Sequence, residues 1–238
     1  MTDQGQQSQP TGQTVRTVVH LQRHGEVHNP GGVLYGRLPG YHLSELGLRM
    51  AERVAASIGD RDITHVVASP LERAQETARP LVARRGVELV TDPRVIESTN
   101  VFEGRRFSVG DSILRRPDTW PKLWNPFRPS WGEPYTAVVE RMMAAVHDAR
   151  EAARGHEAVI VSHQLPVWIT RLHAEGRSFL HNPRNRQCTL CSLTSLVFDG
   201  DRLTTVRYSE PAADLIPVKD RRKAFSSGTG PAADSDPT

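Results

Sequence analysis

Arg23 and His24 stand side by side at the exit of Thr17-Val18-Val19-His20-Leu21-Gln22, a stretch with the pattern of a buried strand. Two similar junctions follow. Thr64-His65-Val66-Val67-Ala68 leads through Ser69-Pro70 to Arg73, and Ala158-Val159-Ile160-Val161 leads into Ser162-His163. Neighbouring parallel strands would bring these exits to one edge of a sheet, where open α/β folds bind ligands. A further extended piece, Asp92 to Glu97, adds one carboxyl group.

Two guanidinium groups, two imidazoles and a carboxyl group suit phosphoryl transfer. A neutral imidazole, His24, attacks phosphorus when a hydrogen bond fixes its other nitrogen. Arg23, Arg73 and His163 bind the oxygens of the transferring group, supplying position and charge stabilisation. Glu97 protonates the leaving alkoxide and then serves as base toward water. Glu103 is the alternative proton donor. With arginine as the charge clamp, neither a metal nor a cofactor is expected.

Helices must position these groups. Ser44 reads as an N-cap before Leu46, Met50, Val54 and Ile58, with Gly59 closing that helix. Ser69-Pro70 reads as the N-cap and first-turn proline of a second, whose apolar face is Leu71, Ala74, Ala78, Leu81 and Val82. Glu88 to Val90 is a short extended piece. Glu133-Pro134 opens a helix striped by Tyr135, Val138, Val139, Met142, Met143, Val146 and Ala149, ending at Gly155. Another helix runs from about Leu165 to Ala174. Leu190 to Phe198 and Leu203 to Tyr208 flank Asp199-Gly200, a hairpin signal. Alternating strands and helices predict a three-layer α/β/α sandwich, its sheet mostly parallel with an antiparallel C-terminal element.

The predicted domain covers 15–212, between a disordered segment 1–14 and a disordered tail 213–238. Within it, 98–132 is irregular and carries Trp120, Trp124 and Trp131. It reads either as a lid that selects the organic part of a substrate or as a packed crossover.

The 238 residues carry a net charge of +3 and are 37% hydrophobic. Mean hydropathy is −0.47. No run is apolar enough to span a membrane, and the N-terminus lacks the features of a secretory signal, so a cytoplasmic location is expected. The mild basic excess suits an anionic substrate, and its scatter argues against nucleic acid. Cys188 and Cys191 have no second pair with which to build a zinc site. They read as packing residues on a strand. His20, His28 and His42 fit no metal-ligand pattern and read as surface or loop residues.

With these residues in place, the chain resembles the histidine phosphatase superfamily, the phosphoglycerate-mutase-like proteins with an Arg-His-Gly motif. Arg23-His24-Gly25-Glu26 matches the signature, which implies that His24 is the residue phosphorylated. Asn29, Tyr35-Gly36 and Leu43-Ser44-Glu45-Leu46-Gly47 echo the loop and helix that follow it. Ser69 to Ala78 is an especially close match and implies that Arg73 is the second phosphate arginine. Glu97 with Phe102-Glu103-Gly104 resembles the segment bearing the acid, Gly132-Glu133 a Gly-Glu-Ser helix start, and Val161-Ser162-His163 the second histidine. The resemblance covers most of 16–210.

It implies a phosphomonoesterase acting on a small phosphorylated metabolite through a phosphohistidine. Asn29, Gly36, Arg37 and Gln164 are the expected substrate contacts. Glu97 is followed by Ser98-Thr99-Asn100 rather than the mutase pattern, and Arg115-Arg116 does not match the mutase basic pair in register. Both departures argue against a phosphoglycerate-type mutase. A catalytically weak phospho-ligand-binding protein is the other alternative. Oligomeric state, including a homodimer, stays open.

Overall fold

The β-branched runs form the sheet that they predict. In the computed structural model, which describes residues 15–105, 132–182 and 185–216, six strands are present: β1 (Arg16–Arg23), β2 (Ile63–Ala68), β3 (Leu89–Thr91), β4 (Glu157–Ser162), β5 (Leu193–Asp199) and β6 (Arg202–Ser209). Their order is β3-β2-β4-β1-β5-β6. β3, β2, β4 and β1 are parallel, and β5 and β6 add on antiparallel. The described helices are α1 (Glu45–Ile58), α2 (Glu72–Arg85), α3 (Tyr135–Ala152) and α4 (Gln164–Ala174).

Successive strand residues point to opposite faces, so the sheet builds two cores. Val159 and Val161 of β4 pack with Met50, Val54 and Ile58 of α1 and with Ala74, Ala78 and Leu81 of α2. Ala158 and Ile160 face the other way, against Val138, Met142 and Val146 of α3 and Trp168 and Leu172 of α4. The result is the three-layer α/β/α arrangement.

Register sets the strand exits level. Arg23 pairs with Ser162, and Ala68 with Val161. The His24 N–H donates to the Ser162 carbonyl at 3.0 Å, and the Ser69 N–H to the Val161 carbonyl at 3.0 Å. The three junctions therefore share one edge.

Several expectations are corrected. α2 begins at Glu72 with Leu71 as its N-cap, and no side chain caps it. Ser69 is not that cap: it lies two residues earlier, with its hydroxyl 2.8 Å from His163 Nε2. Cys188 and Cys191 precede β5 instead of lying on it. Both are buried and reduced, and Cys191 adopts a φ of 55°. His20 is no surface residue: it is 2% exposed on β1, bonded to Ser195 Oγ at 2.7 Å and Glu157 Oε2 at 2.9 Å. Packing continues past residue 212, since Leu215 and Ile216 join the α1–α2 core.

The segment 1–14, the tail from 217 onward, and Trp120, Trp124, Trp131 and Arg115-Arg116 lie outside the described residues. Of the segment 98–132, the structure describes a bridge between Asn100 and Gly132 that brings its two ends together. Among the described residues, no helix is long and apolar enough to cross a membrane.

Candidate active site

His24 leaves β1 already oriented. Its Nδ1 lies 2.7 Å from the carbonyl oxygen of Gly25. A carbonyl can only accept, so Nδ1 carries the proton and the free lone pair is on Nε2. Gly25 is required by close approach: a Cβ there would lie 2.7 Å from the Gly47 carbonyl oxygen. The Gly25 N–H is tied to α2 through Thr77 Oγ1 at 3.0 Å, and that hydroxyl donates to the Arg73 carbonyl at 2.6 Å. Glu26 completes the turn by accepting from Ser44, the N-cap of α1.

Arg23, Arg73 and His163 surround this imidazole. The rings of His24 and His163 are 5.2 Å apart. Arg23 is buried and its Nη1 donates to the Cys188 carbonyl at 2.7 Å. Arg73 is fully buried in the first turn of α2. Its Nη2 donates to the Gly36 carbonyl at 2.6 Å, and its guanidinium carbon sits 4.7 Å above the Tyr35 ring. Among the described residues, Arg73 Nε and Nη1 and His163 Nδ1 are buried without a hydrogen-bond partner. Buried polar nitrogens are ordinarily satisfied, and the two on Arg73 can only donate, so the group points to an oxyanion ligand.

Charge and burial tune the set. Burial, then the neighbouring Arg73 and Arg23, hold His24 well below the usual histidine range. Burial and the same cations, with His24, do likewise for His163. Both rings are therefore neutral at pH 7. Glu97 moves the other way: burial raises its carboxyl, opposed by the Ser98 N–H, Arg73, Arg23 and Arg186. The carboxyl is thus biased toward the protonated form that a proton donor needs.

Two arginines hold the backbone that carries Glu97. Arg37 Nε donates to the Glu97 carbonyl at 2.5 Å, and its Nη2 to Glu133 Oε2 at 3.0 Å. Arg141, on α3, donates from Nη1 to the Arg94 and Ile96 carbonyls at 2.5 and 2.7 Å. Its Nε reaches Glu133 Oε1 at 2.8 Å. Glu133 thus bridges the two guanidinium groups. Glu103 is engaged in its own turn, where Oε1 accepts from the Asn100 N–H at 3.2 Å.

The expected substrate contacts also make structural bonds. Asn29 braces its loop, with Nδ2 donating to the Val33 carbonyl at 2.8 Å and Oδ1 accepting from the Val33 N–H at 3.1 Å. Gly36, at φ +43°, holds Arg73 through its carbonyl, and a Cβ there would strike Glu103. Arg37 braces Glu97. Gln164 opens α4, buried, with Nε2 3.5 Å from the Cys188 carbonyl.

Tyr35, Ser69, Glu133, Arg141 and Arg186 were not singled out as site residues by sequence. Ser69 matched a helix cap well enough to mask its role. Glu133 opens a helix and Arg141 follows two turns later, and nothing in that spacing announces a clamp. No group of His, Cys, Asp and Glu among the described residues is arranged to hold a metal ion.

The family model described as the histidine phosphatase superfamily (branch 1) matches residues 19–211. The uncharacterised protein Rv0525 of Mycobacterium tuberculosis is 58% identical over 197 residues, covering 83% of this chain and 98% of that protein. The probable phosphoglycerate mutase GpmB of Yersinia pestis is 34% identical over 177 residues, covering 69% of this chain and 80% of that protein. Among solved structures, Bacillus stearothermophilus YhfR superposes with a TM-score of 0.67 at 23% identity, covering 79% of this chain and 95% of that one.

Proposed function

The chain belongs to the histidine phosphatase superfamily, and from that membership we propose that it is a metal-independent phosphomonoesterase acting on a small phosphorylated metabolite. One observation carries the reading: an imidazole with Nδ1 fixed on the Gly25 carbonyl stands beside three buried, unpartnered nitrogens on Arg73 and His163.

His24 Nε2 attacks phosphorus as the ester P–O bond breaks, and Glu97 gives its proton to the departing oxygen. Arg23, Arg73 and His163 bind the non-bridging oxygens, whose charge two guanidinium groups offset without a metal ion. In this reading Ser69 Oγ donates its hydrogen to His163 Nε2 at 2.8 Å. In that tautomer His163 presents Nδ1–H to the phosphoryl group. In the second half-reaction Glu97, now a carboxylate, takes a proton from water. The water oxygen bonds to phosphorus, the P–N bond breaks, and the phosphate is released.

The test is hydrolysis of a phosphate-ester panel with and without a chelator. Turnover is expected to persist in the chelator and to fall by at least about a thousandfold in His24→Ala. Full activity in that variant would overturn the reading. The name carried by GpmB favours a second reading, a mutase. Interconversion of phosphoglycerates dependent on a bisphosphate primer would support the mutase over the hydrolase.

A further inference from the structure

Arg186 is a buried cation that the proposed chemistry leaves unused. It lies between α4 and β5, 9% exposed, and its Nε donates to His181 Nε2 at 2.9 Å. His181 is fixed in turn: its Nδ1 donates to the Phe179 carbonyl at 2.7 Å, and its ring meets Trp168 at 5.7 Å and Tyr135 at 6.2 Å. The arginine is thus carried on a prepared support rather than on a flexible stem. Among the described residues it forms no ion pair. Burying a guanidinium without a carboxylate is costly, so the position needs a reason beyond packing.

Its surroundings supply one. Two residues on, the Cys188 carbonyl accepts from Arg23 Nη1, which seats this stretch against the phosphate site. The charge of Arg186 acts on Glu97 and on Arg23. When Glu97 is ionised it can balance Arg186. As the protonated acid it cannot, and both site imidazoles are neutral. Arg23 and Arg73 then serve the phosphoryl oxygens, and Arg186, bonded to His181, is left without a carboxylate partner among the described residues. A carboxylate on the substrate supplies that partner.

We infer that Arg186 is a specificity residue, binding a carboxylate on the organic part of the substrate, so that the enzyme selects phosphate esters of carboxylic acids. This rests on the phosphatase reading and names its substrate class. A guanidinium–carboxylate pair in such a site is directional and charge-assisted, suited to discriminating a carboxylate from a hydroxyl.

The experiment compares phosphoglycolate with 2-hydroxyethyl phosphate, a pair that differs by carboxylate against hydroxymethyl. The wild-type chain is expected to favour phosphoglycolate in kcat/KM by about ten- to a hundredfold. Arg186→Gln should lower kcat/KM for phosphoglycolate at least about tenfold more than for 2-hydroxyethyl phosphate, and Arg186→Lys should retain part of the preference. Affinity for both esters in the His24→Ala background gives a second readout, with the carboxylate advantage lost on adding Arg186→Gln. Hydrolysis of both esters without preference, or an equal loss on both in Arg186→Gln, would overturn the inference and leave the phosphatase reading standing. Failure to hydrolyse or to bind either ester would overturn both.

Discussion

At the residue scale, the proposed chemistry depends on opposite displacements of two titrating groups. Burial and two guanidinium charges hold His24 well below the usual histidine range, whereas burial lifts Glu97 above its ordinary range. Activity needs neutral His24 and protonated Glu97, so it should fall as pH rises through the Glu97 pKa. The acid limb should lie well below pH 6.5, the usual histidine value. A pH profile of kcat/KM checks both signs. Replacing Glu97 by Gln should cost about 10²- to 10⁴-fold with an alkyl phosphate and much less with p-nitrophenyl phosphate, whose leaving group needs no proton. Equal losses on the two esters would remove Glu97 from the acid's role, and the same pattern in Glu103→Gln would move the role there.

At the element scale, strand exits and helix starts do the positioning, and these were largely legible. Val159 and Val161 alternate with Ala158 and Ile160 because a central strand must bury both faces, so an unbroken apolar run marked β4. Ser69 was misread because a Ser-Pro pair is a sound helix start in isolation. Its call on His163 comes from β4 lying next to β2, a long-range fact that local pattern does not carry. The clamp of Glu133, Arg37 and Arg141 was invisible for the same reason: Arg37 and the Glu97 backbone that it holds are distant in the chain from Glu133 and Arg141. It predicts that Glu133→Gln, by loosening the backbone under Glu97, lowers kcat for an alkyl phosphate about tenfold more than for an aryl phosphate. KM should change little. The lost charge-assisted bonds should also cost about 1–3 kcal/mol of stability, read by denaturant unfolding.

At the scale of the whole molecule, a cluster around Glu157 that no motif announced ties β4 to β1 and to Arg61. Glu157, at the start of β4, accepts from His20 of β1 at 2.9 Å and from Arg61 at 2.5 and 2.7 Å. These partners outweigh its burial and lower its carboxyl to about 2 from an ordinary value of 4.5. A depressed carboxyl stabilises the fold above its unfolded pKa and loses that contribution as pH falls through the folded one. Unfolding followed between pH 5 and 2 should therefore show stability declining across that interval, with a shallower slope in Glu157→Gln. An unaltered slope would separate this cluster from acid stability. His20 was read as a surface residue because a histidine amid β-branched neighbours gives no hint that a carboxylate waits on the next strand. Arg23, His24, Arg73, Glu97 and His163, by contrast, were singled out from strand exits and order along the chain, and the fold brings their elements to one edge. The most direct test of the account is rapid quench of the enzyme with a phosphate ester, followed by mapping of any covalent adduct by mass spectrometry. The account predicts one acid-labile phosphoryl group on the His24 imidazole, absent in His24→Ala. Turnover with no phosphoenzyme, or a phosphoryl group on another residue, would contradict it.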